Sequence, residues 1–409
     1  MSNNSDQISV LPGLGNVSNT QFAGYVPVTG EFNPKTRTGE DESLFYWFVG
    51  TGEGSAYANK PTIIWTNGGP GSSSFWGFFL ENGPYEIVCS SQPKLAKRKN
   101  TWSDTANYMI FEHPLSVMLS FANKEVNIPL TVEEGIEQYY QALVNFIHKH
   151  PEIANNPIIL AGESYAGTYL PMLSKAILDG NASGQNPKLN LKATVLLDAW
   201  VAPYVQMAQD TTYAYMHGMI SAREKKELDE RYEHDLPNIN EAIQRKCGLY
   251  MTNIAQQKDP KFDPITEYLN REDVRQALHI ESDKKLNENW SLQVSKNYQY
   301  GVNESYVHVI KELLDRKLQV LVISGLNDAK DCNFLGTEKW LEILTGSAAE
   351  KFNSASTEQW RLSGNEPVLG YIQNGGLLSW TKVLNAGHMA VRDQPQVIQL
   401  LKTLINSLN

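Results

Sequence analysis

The order of apolar and polar residues along the chain predicts alternating strands and helices. Short aromatic and β-branched runs at Phe45–Phe48 and Pro61–Thr66 read as strands on either side of the turn-rich Gly50–Asn59, and together they predict a hairpin at the front. Asn107–Phe111 reads as a further strand. From Val132 to His148, Ile136, Tyr140, Leu143 and Phe146 recur at helical spacing. Strand Ile158–Ala161, a helix over about Thr168–Leu178 and strand Ala193–Leu197 follow. Strands that alternate with helices imply a mostly parallel sheet covered on both faces, because parallel neighbours need a crossover connection.

Between about Tyr204 and Ile280 the strand signal stops, and the sequence turns charged and helix-forming, as in Ser221–Leu236. The α/β pattern resumes with a helix around Ser305–Arg316, strands at Gln319–Ser324 and near Gly376–Leu384, and a final helix over about Pro395–Leu408. The expected organisation is one sheet domain in two parts, 11–203 and 291–409, interrupted by a helical cap at 204–290.

Composition narrows the function classes. With 35 basic and 45 acidic residues the formal net charge is −10, which argues against a basic nucleic-acid groove. No apolar run approaches the ~18 residues of a membrane helix, so no membrane partner is expected. Met1–Asp6 lacks the basic start and apolar core of a secretory signal. Cys89, Cys247 and Cys332 are an odd count and match no metal-binding spacing. Both features point to a cytoplasmic, reducing compartment, or to a secreted or vacuolar one if the sequence is a trimmed mature form. On the first reading the Asn-x-Ser sequences at Asn16 and Asn181 are incidental.

The strongest chemical signal lies in Pro157–Met172, where Gly162, Ser164 and Ala166 form small-x-Ser-x-small between a strand and a helix. Such a serine sits on a tight turn above the sheet, near the positive end of the helix, and Ser164 is the candidate nucleophile. A bare pentapeptide of this kind is as often a structural turn. A serine hydroxyl needs a base, and the base an orienting acid, in the chain order Ser, acid, His for this type of fold. The strand at Gln319–Ser324 leads into Asp328 and Asp331, and His388 follows the last strand; each is weak alone, but they arrive in the required order. The glycine-rich Trp65–Ser74 follows an early strand and is placed to form an oxyanion hole with the N–H of Tyr165. It lacks the Lys-Ser/Thr ending of a phosphate loop.

These segments resemble a known family. "WTNGGPGSSS", "FFLENGP", "GESYAG", "GLND" and "NAGHM" are similar, in order, to the motifs of the serine carboxypeptidases, over about Leu11 to Leu404. The resemblance implies an α/β-hydrolase fold and a triad of Ser164, Asp328 and His388. It also implies an oxyanion hole at the backbone of Gly69 and Tyr165, and a site for the substrate's free carboxylate made of Trp65, Asn67, Glu81 and Glu163. Two neighbouring carboxyl groups cannot both ionise easily, so one keeps a proton for the substrate carboxylate, and the activity is expected to favour acidic pH.

Departures from the family pattern fall on the surroundings. Ser72 stands where the family usually has Cys, and the segment after Asp328 is one residue longer, which leaves Asp331 as a rival acid. "LLDAW" replaces the usual "IGNG" and puts Trp200 in the wall of the pocket for the residue before the scissile bond. "EHPLSVMLS" replaces "DQPVGTGFS", and Ala390-Val391 follows Met389, a second wall residue. The leading expectation is a serine protease, a carboxypeptidase that hydrolyses peptides with a free C-terminal carboxylate through an acyl-enzyme, with no metal and no organic cofactor. An acyltransferase or esterase with the same triad, and a binding protein without catalysis, are the alternatives.

Overall fold

The computed structural model describes residues 6–29, 42–88, 93–122, 124–184, 186–232, 235, 239–247, 252–256, 261–280, 286–329 and 332–408. Its centre is a ten-stranded sheet. In chain order the strands are β1 (Gln21–Pro27), β2 (Ser43–Val49), β3 (Thr62–Thr66), β4 (Asn107–Phe111), β5 (Ile158–Glu163), β6 (Leu191–Leu197), β7 (Gln319–Gly325), β8 (Thr357–Trp360), β9 (Gly370–Asn374) and β10 (Leu378–Val383). Their order across the sheet is β8-β9-β10-β7-β6-β5-β3-β4-β2-β1. The strands from β10 to β4 run parallel, and antiparallel pairs are added at both edges.

The expected strands are present, but the expected front hairpin is not. Phe45–Phe48 lies in β2, which pairs with β1 and β4, whereas β3 lies between β4 and β5. Burial explains the difference: all five residues of β3 are buried, as suits a strand inside a parallel sheet covered on both faces. The partner that β2 does take, β1, and the edge strands β8 and β9 gave no clear sequence signal; β8 is exposed over Thr357–Gln359.

Helices cover the two faces. Helix α1 (Phe75–Leu80) follows the loop after β3, α2 (Val132–Lys149) connects β4 to β5, and α3 (Ala166–Ser183) connects β5 to β6. The Thr131 hydroxyl caps α2 by accepting the Glu134 N–H at 3.3 Å. Ile136, Tyr139, Leu170 and Leu173 pack α2 and α3 into one core layer. Phe75, Phe78, Phe262, Tyr268 and Ile398 belong to the layer on the other face. Between β6 and β7 the described residues form helices and no strand. This stretch has two parts: Tyr213, Ile220, Tyr232 and Ile243 form a small core of their own, while Phe262–Ile280 packs into the main one.

From β3 the chain crosses outward to β4, then returns to β5 on the other side of β3 and continues to β6. The turns leaving β3 and β5 therefore diverge, and open α/β sheets place their ligands in the crevice at such a reversal.

One buried ion cluster ties the front of the chain to α2. Asp6 Oδ2 accepts from Lys149 Nζ at 2.8 Å and faces His150 Nε2 at 3.0 Å. It also accepts the Tyr46 hydroxyl, and the Asp6 side chain is 3% exposed. Burial opposes the charge on Asp6, but His150 and Lys149 outweigh it and hold the carboxyl well below its usual range; in return Asp6 raises His150. The His150 contribution to stability is complete below about pH 6.5 and fades as pH rises through its raised value. Asp6→Asn should destabilise by about 3–5 kcal/mol, as expected on breaking a buried pair. Urea unfolding should give a larger loss at about pH 5.5 than at about pH 9; equal losses would rule out the histidine's part.

Candidate active site

Ser164 follows β5 directly and has the left-handed backbone that a tight strand-to-helix turn needs, with φ of +63°. For a residue with a side chain that conformation costs of order 1–3 kcal/mol, and its surroundings hold it. The Ser164 N–H donates to Leu197 O at 3.0 Å, and Ser164 O accepts the N–H groups of Gly167 and Trp200 at 2.8 Å each. Gly162 is required by contact, since a Cβ there would lie 2.2 Å from Thr66 O. The 18-residue helix α3 begins two residues after the serine and points its positive end at the turn.

Asp328 and His388 leave β7 and β10, which are adjacent in the sheet. His388 Nδ1 and Asp328 Oδ2 are 2.8 Å apart, with Asp328 fully buried and His388 8% exposed. Backbone bonds fix the histidine turn: His388 N–H donates to Thr252 O at 2.6 Å, and Asn327 N–H to Ala386 O at 2.7 Å. Asp393 Oδ2 accepts the Gly387 N–H at 2.9 Å and Asn253 Nδ2 at 2.6 Å. No hydrogen bond joins the Ser164 hydroxyl to His388 among the described residues, and such bonds often tighten only when substrate binds. The rival acid Asp331 lies outside the described residues.

The loop after β3 lies against the serine turn. A Cβ on Gly68 would sit 2.2 Å from the Tyr165 nitrogen, so only glycine lets the two backbones meet. Gly69 has φ of +113°, and neither its N–H nor that of Tyr165 has a protein acceptor among the described residues. Asn289–Ser291 and Glu112 hold this loop. Ser73 N–H donates to Asn289 O and Ser291 N–H to Gly71 O, both at 2.8 Å, and Trp290 Nε1 donates to Pro70 O at 2.9 Å. Buried Glu112 accepts the Ser73 hydroxyl at 2.6 Å and the Ser74 N–H at 2.8 Å. Burial pushes the Glu112 carboxyl up to about 8, while these donors oppose the rise.

Beside the serine turn, Glu163 ends β5 and Glu81 caps the C-terminal end of α1. They are 5% and 4% exposed, and each acts on the other electrostatically. Burial raises both carboxyls, Glu81 to about 7, and the Glu81 charge adds to the rise of Glu163. Asn67 Nδ2 donates to Glu163 Oε1 at 3.0 Å, and Asn67 Oδ1 accepts Trp65 Nε1 at 2.8 Å and the Gly77 N–H at 3.0 Å. The indole N–H of Trp65 is thus spent on orienting Asn67. Trp200 is 7% exposed, with its Nε1 donating to Val302 O at 2.8 Å, and Met389 is half-buried next to His388.

Glu112 and Asp198, which were not singled out from the sequence, also belong to this neighbourhood, as does the buried thiol of Cys332. The one available signal was an acidic residue closing an apolar strand, in "LLDAW" and "IFEHP". Ligand atoms of Asp328, Cys332 and His388 lie within 4.8 Å of one another, so these side chains could hold a soft metal, but Asp328 and His388 are already bonded to each other.

A parallel sheet with a serine on a left-handed turn after one strand, and a bonded aspartate–histidine pair after two later strands, defines an α/β-hydrolase. Comparison with known proteins gives the family: a model described as serine carboxypeptidase matches residues 12–264 and 244–407. The chain belongs to the serine carboxypeptidase family and is a serine-type carboxypeptidase, a hydrolase. It is 28% identical over 405 residues to serine carboxypeptidase S10 family member 1 of Dictyostelium discoideum, covering 93% of each chain. It is 29% identical over 404 residues to the venom serine carboxypeptidase of Apis mellifera, covering 92% of this chain and 82% of that one. The fold matches that of Kex1, a prohormone-processing carboxypeptidase from Saccharomyces cerevisiae, with a TM-score of 0.83 and 21% identity over 100% of this chain and 96% of that one.

The contact at Gly68 makes a direct test. Gly68→Ala should force the loop off the Tyr165 nitrogen and lower kcat by about 10²–10³-fold, the usual cost of losing an oxyanion donor, with an unchanged circular dichroism spectrum. A kcat within about twofold of wild type would show that this approach does not matter.

Proposed function

We propose that Ser164 is the nucleophile, His388 its base and Asp328 the acid that orients His388, in hydrolysis of the C-terminal peptide bond. Ser164 Oγ attacks the last peptide carbonyl while His388 takes its proton, and the N–H groups of Gly69 and Tyr165 receive the negative charge of the tetrahedral intermediate. His388 then protonates the leaving amino acid, and water hydrolyses the acyl-enzyme by the same route in reverse. Among the described residues the 2.8 Å Asp328–His388 bond supports Asp328 as the acid.

The observation that carries the exopeptidase reading is the buried Glu81–Glu163 pair beside the serine turn. A carboxyl that keeps its proton donates a hydrogen bond to the substrate's terminal carboxylate, and the amide of Asn67, oriented by Trp65, adds a second donor. An endopeptidase has no use for such a site. Trp200 and Met389 form the wall of the pocket for the residue before the scissile bond. The stretch 204–290 forms a helical unit inserted between β6 and β7. The likeness to a venom enzyme favours the secreted or vacuolar alternative over the cytoplasmic one.

Mass spectrometry of a mixed peptide library incubated at about pH 5 and about pH 7 tests the assignment. Single residues should disappear from carboxyl ends, and Ser164→Ala should abolish the loss. No trimming, together with Ser164 labelling by a fluorophosphonate, would instead favour acyl transfer or a specialised non-peptide substrate, and no labelling would favour a binding protein.

The carboxyl pair also sets a pH dependence. Burial keeps a proton on the pair well into the acidic range, where it can donate; as pH rises through about 7 Glu81 gains charge and repels the substrate carboxylate. KM should therefore rise on the alkaline side for peptides with a free carboxylate and stay flat for C-terminal amides. A parallel rise for both substrates would place the titration elsewhere.

A further inference from the structure

The turns that carry Ser164, Asp328 and His388 leave β5, β7 and β10, and β6 lies between the first two. The turn leaving β6 itself has no role so far. Its first residue, Asp198, is fully buried and has a left-handed backbone, with φ of +39°. The residues on either side of it hold the nucleophile, since Leu197 O accepts the Ser164 N–H and the Trp200 N–H donates to Ser164 O. Asp198 holds the other flank: its N–H donates to Ile323 O at 2.8 Å, and its Oδ1 accepts the Gly325 N–H at 2.8 Å.

Gly325 in turn lies against the histidine turn. A Cβ on it would be 2.2 Å from Gly387 O and 2.6 Å from Ala386 O. A continuous set of contacts thus runs from the Ser164 turn through Asp198 to Gly325, and from Gly325 to the turns of Asp328 and His388. Asp198 Oδ2 has no hydrogen-bond partner among the described residues.

We propose that Asp198 is a positioning residue for the relay, setting the spacing between the Ser164 turn and the turns of Asp328 and His388 through its bonds to Ile323 and Gly325. The groups that face it are mostly acidic: Asp328 after β7, Asp393 of the 390–393 helix, Glu81 at the end of α1, Glu163 at the end of β5 and Tyr213 of the 210–216 helix. Arg392, Arg98 and, when protonated, His388 are cations that act on Glu81, the acid next to this group. Burial first, and the Asp328 charge second, keep the proton on Asp198 far above the usual carboxylate range. Ionisation would set a second negative charge beside Asp328 and disturb its bond to His388.

The inference rests on the assignment of Ser164, His388 and Asp328 above. Its test is the rate of phosphonylation by a fluorophosphonate from about pH 5 to about pH 10. That reagent carries no carboxylate and is blind to the Glu81–Glu163 substrate site. Asp198→Asn keeps the acceptor for Gly325 N–H and copies the protonated acid. It should match wild type within about twofold at pH 5–6 and lack the alkaline decline of wild type. Asp198→Ala should lower both this rate and kcat by about tenfold or more throughout, with KM within about twofold. Wild-type behaviour of Asp198→Ala, an alkaline decline retained in Asp198→Asn, or no decline in wild type would each overturn the inference. Where Asp198→Ala fails to fold by circular dichroism, the Asn variant decides alone. Labelling that persists in Ser164→Ala would instead overturn the underlying triad assignment.

Discussion

Four buried carboxyl groups, Glu81, Glu163, Asp198 and Asp328, meet at one edge of the sheet, with the His388 imidazole bonded to one of them. A carboxylate taken out of water without a partner costs several kcal/mol, and neighbours of like charge add to that cost. The four therefore cannot all be ionised together. Asp328 has His388 as its partner, whereas burial raises Glu81, Glu163 and Asp198, and the Glu81 charge adds to the rise of the other two. In the proposed mechanism this division supplies both kinds of chemistry that a carboxypeptidase uses. An ionised acid stabilises an imidazolium, and neutral acids donate hydrogen bonds to an anionic substrate.

The sheet makes such crowding possible. Carboxyl ends of parallel strands all face one side, and the reversal between β3 and β5 opens a crevice there. The turns that enter the crevice are braced mainly by backbone bonds rather than by long side chains. Ser164 is held by Leu197 and Trp200, His388 by Thr252, and the loop after β3 by Asn289 and Ser291. Ser72, where the family usually has Cys, lies in an antiparallel bridge with Trp290, so hydrogen bonds secure this loop to the later segment. Glu112 closes the loop from beneath and links it to α1, which carries Glu81.

The stretch between β6 and β7 takes part in this bracing unevenly. Its middle portion packs around Tyr213 and Ile243, and the Tyr213 hydroxyl donates to Leu326 O at 2.6 Å, close to the acid turn. Thr252 and Asn253 bind the histidine turn, and Phe262–Ile280 is continuous with the main core.

Much of this was legible in the amino-acid order, because periodicity and turn chemistry are local. The apolar run of β5, the small residues around Ser164 and the helical spacing of α2 each report a structure that neighbouring residues enforce. The order Ser164, Asp328, His388 and their places after strands were likewise readable. Strand partners were not, since pairing is decided across the sheet: β2 joined β1 and β4, and β3 went to the interior, where both of its faces are buried. The contact of Asp198 with Gly325 and the clamp at Glu112 were also invisible, because each depends on groups more than thirty positions away that only folding brings together. The sequence by itself determined the elements and which residues could do chemistry. Tertiary structure decided which carboxyls lie in low dielectric beside one another, and hence which of them carry protons, because that free energy depends on burial and distance, not on order along the chain.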